Sequence, residues 1–343
     1  MNPILKKALQ YGISLALTAL FLYLAFQGID LNALWIAMKR TSFFWIVIMM
    51  SITVGTVVLR GWRWIVLMRP FAPQVKLMDA TLALSMCYAA NFVFPRSGEA
   101  LRALSLKWKR DAPLAPVLAT VVVERILDLI WLVVFIGMAL FIQRERINAA
   151  FPTLEPYALL VLAGCLLTLA ALALISIFRE RALRLVERFL TPISQKLATA
   201  LTHHLGTFLQ GLTALHNPAA YVEIIVSSLL LNFGYVLIIY SGLISFGFAG
   251  SEGLGLSAAL VVMAISSIGV IIPTPGAIGP YHYFFKESLN LLYQIPAAEA
   301  LACATVVHAF SNLTYFIVGV PALILQRRKQ DGKKGESPPV PAT

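Results

Sequence analysis

Along most of the chain, apolar residues fall in unbroken blocks with polar residues gathered between them. The blocks approach the length that carries a helix across a bilayer, about 20 residues. The pattern predicts helices over about 9–27, 43–62, 114–142, 157–178, 219–246 and 299–325. Two further apolar stretches are interrupted. Segment 77–94 is short for a straight span, is weakened by Ser85 and Asn91, and stops at Pro95. Late in the chain, 256–272 and 277–293 are separated by Pro273-Thr274-Pro275-Gly276, with Pro275 suited to the first turn of a new helix. Region 179–218 has a different rhythm. Leu183, Val186, Phe189 and Leu190, then Leu201, Leu205, Phe208 and Leu212, recur at helical spacing among Arg179, Arg181, Arg184 and Arg188. This predicts one or two amphipathic helices lying on the membrane surface. Segment 28–42 reads as a loop. Arg60 and Arg63 read as interfacial anchors ending the second helix, with Trp62 and Trp64 as belt aromatics.

Composition agrees with this pattern. The 343 residues are 59% hydrophobic and 13% charged, with a mean hydropathy of +0.82. Soluble chains carry about 25% charged residues. A membrane β-barrel would show alternation in roughly ten-residue pieces. The fold class is therefore an all-α polytopic membrane protein, a helical bundle of about 6–8 membrane helices with broken or re-entrant hairpins. The net charge of +11 is read as the basic bias of cytoplasmic loops, not as a nucleic-acid surface. Cys87, Cys165 and Cys303 sit in apolar segments without metal-ligand spacing and read as packing residues. The first apolar run follows Lys6 and Lys7 and has no small-residue cleavage site, so it reads as a retained helix.

Charge also sets the expected topology. Lys6, Lys7, the loops 60–76 and 179–196, the segment 96–110 and the basic tail all favour the cytoplasm. Both termini are then cytoplasmic in a bacterial inner membrane. Because 60–76 and 96–110 flank 77–94, that stretch must enter the membrane and turn back. Segment 256–293 must likewise leave and return on the outer side, as a re-entrant pair or as two short spans. The transmembrane domain covers 1–325, with halves 1–142 and 157–325 and the amphipathic segment 179–218 in the second. Residues 326–343 read as a disordered basic and Pro-rich tail. Each half reads as span, span, broken hairpin, span, starting from opposite sides. That is the pattern of an inverted repeat whose broken helices build a substrate site near the midplane.

The candidate chemistry lies where the pattern breaks. Charges inside apolar helices are costly and mark sites by default. Arg96, Glu99 and Arg102 follow directly on Asn91 and Pro95. Ser97 can cap a helix there, and its free N–H groups and the two arginines suit a phosphate. Glu99 and Arg102 share a helix face and could simply pair. Glu124, Arg125 and Asp128 stand inside an apolar helix, either as part of the site or as an ion-pair network locking that helix to neighbours such as Arg96 or Arg102. The turn Pro275-Gly276-Ala277-Ile278-Gly279 is followed by Tyr281, His282 and Tyr283. On the last helix Thr305, His308, Asn312 and Tyr315 form one polar stripe, and Ser228, Asn232 and Tyr235 form a weaker one on the fifth. His308 alone is more often a packed residue than a proton carrier. Hydrolase, zincin, Walker and dinucleotide motifs do not occur in the sequence. No enzymatic activity, cofactor or metal is expected, and without an ATP motif any transport runs downhill or on a gradient.

Three pieces, Asn91-Phe-Val-Phe-Pro95-Arg-Ser-Gly98-Glu99-Ala-Leu-Arg102, Val121-Val-Val-Glu124-Arg125-Ile-Leu-Asp128 and Pro273-Thr-Pro275-Gly276-Ala-Ile-Gly279, occur in the order that resembles the lysylphosphatidylglycerol synthase transmembrane, or flippase-like, family. The resemblance covers about 10–325. It implies a membrane module that moves a lipid between leaflets. The soluble synthase domain of the bifunctional relatives has no counterpart in the sequence, so aminoacyl transfer is not expected of this chain. One departure concerns His282, which stands where the family often has a carboxylate. This puts selection of a lysyl-lipid in doubt.

The residues and the resemblance together point to binding and translocation of a phosphate-bearing lipid. The expected lipid-binding set is Asn91, Arg96, Glu99, Arg102, Glu124, Arg125, Asp128, Pro275, Gly276, Gly279, His282, His308 and Asn312. The partners this admits are membrane lipid, a second copy of the chain, or a separately encoded lipid-modifying enzyme, and no nucleic acid. The rival readings are a headgroup-modifying membrane enzyme and a protein that presents lipid to a separate transferase.

Overall fold

The computed structural model describes residues 3–93, 97–192, 194–211 and 218–335. These residues are helical almost throughout, and no strand occurs among them. In chain order the helices are α1 (Pro3–Phe26), α2 (Leu31–Lys39), α3 (Phe43–Met68), α4 (Leu77–Val93), α5 (Ser97–Arg110), α6 (Leu114–Ala150), α7 (Leu154–Ile177), α8 (Arg179–Leu190), α9 (Gln195–Gln210), α10 (Pro218–Ser245), α11 (Phe248–Ser251), α12 (Leu256–Ile271), α13 (Pro280–Tyr293) and α14 (Ala297–Gly335). A 3-10 turn over Pro275–Ala277 joins α12 to α13.

Among the described residues, five helices are long and apolar enough to cross a membrane, and six spans result if the bent pair α1–α2 counts as one. The pair bends by 87° at Gln27–Asp30. Segment 28–42 is thus not a plain loop: Leu31–Lys39 is helical, and the Asp30 carboxylate caps it by accepting from the Asn32 N–H at 2.8 Å. Three other expectations are corrected. Helix α3 does not stop at 62 but continues to Met68, because Trp64-Ile-Val-Leu-Met supplies another apolar turn. Helix α6 runs on to Ala150 across a kink at Gln143. Helix α14 continues through 326–335, part of the tail read as disordered. Residues 336–343 lie outside the described residues. The amphipathic segment forms α8 and α9, and α8 buries none of its side chains.

The short helices form two hairpins. Helix α4 has 17 residues, about 25 Å, less than a hydrocarbon core of about 30 Å. Helix α5 folds back along it. The hairpin's base is closed by Asp79 in the first turn of α4, which pairs with Lys109 (2.8 Å) and Arg110 (2.6 Å) at the end of α5. Its tip needs Gly98, since a Cβ there would sit 2.1 Å from the Cys87 carbonyl oxygen. Asn91 fastens the same turn, its Oδ1 accepting from the Gly98 N–H at 2.7 Å. The second hairpin, α12–α13, has arms of 16 and 14 residues, too short for two straight spans. Its tip is the Pro275–Gly279 turn, where Gly276, Ala277 and Gly279 take positive φ.

The two halves pack in corresponding ways. Helix α3 lies against α10, α4 packs on α14 as α12 packs on α6, and α3 meets α4 as α10 meets α12. These are the pairs that an inverted repeat of the two halves would bring together. The tips of the hairpins touch, with the Phe92 ring at the end of α4 lying where a Cβ on Gly276 would stand. The largest apolar cluster joins α12, α13 and α14 to α6 and α10. A second joins α3, α4, α5 and α6.

Candidate functional site

The charged residues of the apolar helices converge. Arg60 and Arg63 are three apart on α3 and share a face, as do Glu124 and Asp128, four apart on α6. The α3–α6 contact brings the two faces together. Glu124 Oε1 accepts from Arg60 Nη1 (2.9 Å) and Arg63 Nη2 (3.3 Å), and its Oε2 accepts from Arg102 Nη1 (2.8 Å) on α5. Asp128 accepts from Arg60 at 2.9 Å and Arg63 at 2.5 Å. Arg125 lies more loosely, 3.6 Å from Asp128 and 4.0 Å from Glu124. Helix α10 completes the cluster: Arg60 donates to the Tyr235 hydroxyl (3.0 Å) and Arg63 to Ser228 Oγ (3.2 Å). Trp64 lies under Arg102, its ring 4.6 Å from the guanidinium carbon, and its indole N–H is held by Thr120 at 3.0 Å.

The cluster is not neutral. Arg60, Arg63, Arg102 and Arg125 face Glu124 and Asp128, four positive groups against two negative ones. Glu99, half-buried near Cys87, forms no ion pair among the described residues. Counting it still leaves one positive charge in excess. Among the described residues, five guanidinium donors are buried without a partner: Nε of Arg60, Arg63, Arg102 and Arg125, and Nη2 of Arg102. A buried donor left unpaired costs about 1–3 kcal/mol, more when charged. This arrangement is therefore unfavourable as a purely structural brace, and it suits an anion. Arg125 is the most exposed member, its side chain 43% exposed, while those of Arg63, Arg102 and Glu124 are fully buried.

A second group of predicted residues meets at the hairpin tips. His282 at the start of α13 and His308 on α14 place their rings 4.8 Å apart, edge to face. The His308 Nε2 lies 2.8 Å from the Gly276 carbonyl oxygen. The Tyr281 ring lies 4.9 Å from that of His308. His282, His308, Asn312 and Thr305 line a cavity of about 330 Å³ with Phe92 and Phe316. A strip of aromatics links this cavity to the cluster. Tyr88, one turn before Phe92, stacks on Tyr315, one turn after Asn312, at 4.4 Å. Both tyrosines lie within electrostatic reach of Arg60.

The predicted residues divide accordingly. Arg102, Glu124, Arg125 and Asp128 belong to the cluster, and His282, His308, Asn312 and Gly276 to the tip cavity. Asn91 serves the first hairpin's turn. Pro275 opens the second turn, and Gly279 is where α1 crosses it, a Cβ there meeting the Thr18 carbonyl oxygen at 2.9 Å. Arg96 and Pro95 lie outside the described residues. Of the two partners open to Arg102, Glu99 does not pair with it, because Glu124 takes it from across the helix interface. Two expectations are corrected. Arg60 and Arg63 are not interfacial anchors and Trp64 is not a belt aromatic: all three are buried, Arg63 and Trp64 completely. The signal that could have found them is the apolar turn Trp64–Met68 beyond them, which places both arginines inside the helix and not at its end. No group of three or more metal-ligating side chains occurs among the described residues.

A family model described as the lysylphosphatidylglycerol synthase TM region matches residues 11–319. The chain is also similar to a protein named glycosyltransferase AglD from Haloferax volcanii, with 23% identity over 294 residues, 78% of this chain and 46% of that protein. The chain thus spans about half the length of that relative. No solved structure matches it.

Proposed function

The chain belongs to the lysylphosphatidylglycerol synthase TM-region family, and from that premise we propose that it binds a phosphate-bearing lipid and moves it between leaflets. The observation that carries this reading is the buried arginine cluster, with its excess of positive charge and its unpartnered donors. A phosphodiester supplies the missing acceptors and the missing negative charge. Arg125 meets the headgroup first, being the exposed member. Arg60, Arg63 and Arg102 stay fixed by Glu124 and Asp128 and present a preorganised positive surface behind it.

The position of the cluster supports movement as well as binding. It lies beside two broken hairpins whose tips touch, and in repeated transporters such helices frame a site reached alternately from either side. In this reading the chain is not itself an enzyme, and it sits in a bacterial inner membrane with both termini cytoplasmic, as its basic segments suggest. The test is transport of fluorescent phospholipid in proteoliposomes, read by quenching of outer-leaflet label. Arg125→Ala combined with Glu124→Gln, reconstituted at equal density, should abolish the protein-dependent rate. An unchanged rate in that variant would sink the proposal.

A second reading follows from the relative named a glycosyltransferase, of which this chain spans 46%. Here the same site holds the lipid for a transferase encoded elsewhere. Headgroup transfer that needs both proteins, with no transport by this chain alone, would favour it.

A further inference from the structure

Helices α8 and α9 pack on each other, but the rest of the protein holds them differently. Helix α9 is docked. Its Ala198 and Leu209 are buried, and its Leu205 and Phe208 pack into the same apolar cluster as Leu172 of α7 and Leu127 of α6. Gly211, just after it, rests on α6, where a Cβ would stand 2.2 Å from the Pro116 carbonyl oxygen. Leu172 is the last residue of the apolar span of α7, so α9 lies at the level where that span leaves the bilayer. Helix α8 starts at Arg179, separated from the end of α7 only by Phe178. Among the described residues it touches the protein mainly through α9.

The residues of α8 sort into faces at helical spacing. Leu183, Val186 and Leu190 are half-buried and point to α9, with Leu183 3.4 Å from where a Cβ on Gly206 would stand. Phe178, Ala182, Leu185 and Phe189 form a second apolar edge that faces outward. Phe178 is 47% exposed, Leu185 54% and Phe189 74%. Arg181, Arg184 and Arg188 each come one position before a member of this edge, so they run beside it as a row. Glu180 and Glu187 fall on the side of the helix opposite the edge. With Arg179, the helix carries four basic groups against these two acidic ones, a net charge of +2.

We propose that this edge of α8 is a seat for an anionic bilayer surface, apart from the arginine cluster in the bundle. Phe178, Leu185 and Phe189 enter the boundary between headgroups and acyl chains, and the arginine row lies along the lipid phosphates and carboxylates beside them. Arginine suits this place because its stem lies on apolar surface while its head stays in the polar layer. The depth set by α7 and α9 brings the edge to the bilayer, where a soluble partner would have to compete with the membrane for it. A second copy of the chain fits less well, since a two-fold contact presents the same patch from both sides and sets the two basic rows against each other. The seat reads surface charge and not headgroup identity. Nothing in it depends on the arginine cluster or on transport.

The test is hydrogen–deuterium exchange of the full-length protein in lipid nanodiscs, one copy per disc. One set of discs is phosphatidylcholine, and the other contains about a third phosphatidylserine. Each basic charge near an anionic surface contributes about a factor of five, so the net two charges should slow exchange over 179–190 about 25-fold in the anionic discs. Exchange over 198–209 should be the same in both, because the bundle already covers α9. The slowing should vanish at about 1 M salt, where the Debye length is about 3 Å. It should also vanish in the triple variant Arg181→Gln, Arg184→Gln, Arg188→Gln, with exchange over 117–135 as in the wild type to show that the bundle is intact. Equal exchange over 179–190 in the two kinds of disc overturns the proposal, and so does a slowing that survives in the triple variant. Protection that appears only with two copies per disc, whatever the lipid, assigns the edge to a second copy and overturns it too. Protection in neutral discs that needs added soluble cell extract assigns it to a protein partner, with the same consequence.

Discussion

Replacing Glu124 by Gln tests the electrostatics of the cluster most sharply. Glu124 accepts from three guanidiniums, at 2.9, 3.3 and 2.8 Å, with no exposed side-chain surface. Gln keeps the size but turns one acceptor into a donor and removes a negative charge. The cluster would then hold four arginines against Asp128 alone. Removing one partner of a buried pair costs about 3–5 kcal/mol, and the shared position of Glu124 places this change toward the upper end. For a chain of this size that corresponds to a fall in Tm of about 4–7 °C. The assay is thermal unfolding of delipidated protein in one detergent, with Glu124→Asp as a control that keeps the charge and recovers part of the loss. A phosphate-bearing lipid should stabilise the Gln variant more than the wild type, because it restores the missing negative charge. A Gln variant within about 1 kcal/mol of wild type would refute the argument that this carboxylate holds the arginines.

Other changes probe separate parts of the structure. Gly319→Ala places a Cβ 2.4 Å from the Ser85 carbonyl oxygen, backbone that cannot swing aside, so the α4–α14 contact should open at a cost of about 2–3 kcal/mol, seen as a lower Tm. Trp64→Phe removes the indole bond to Thr120 at 3.0 Å and weakens the stacking under Arg102; about 1–2 kcal/mol should be lost, with lipid retention reduced less than in Arg125→Ala. Asp79→Asn frees Lys109 and Arg110 from the base of the first hairpin. Both partners are about a third exposed, so the loss should be about 1 kcal/mol after screening, with faster protease cutting near 110–113.

The membrane-helix class was legible in the blocks of apolar residues, and the two broken hairpins in Pro95 and the Pro273–Pro275 pair. Glu124, Arg125 and Asp128 could be read because their cost inside an apolar helix is visible without any fold. Their partners could not be read in the same way. Arg60 and Arg63 stand near the end of an apolar run, where a snorkelling anchor and a buried ion pair look alike. The apolar turn Trp64–Met68 beyond them argues for burial, and packing of α3 against α6 and α10 supplies the partners. The sequence left Arg102 two partners, Glu99 along its helix and the Glu124 trio across an interface, and only the fold decides for Glu124. Helix α2 was missed because nine residues cannot establish periodicity. The convergence of His282 and His308 depends on the second hairpin folding back against α14, a tertiary fact that spacing does not encode.

Lipid analysis of the protein purified in mild detergent, wild type beside Arg125→Ala, tests the central claim most directly. The proposal predicts one phosphate-bearing headgroup class retained well above its abundance in the source membrane and lost in the variant. Retention of bulk lipid only, the same in both proteins, would contradict it and leave the cluster a brace between α3, α5, α6 and α10.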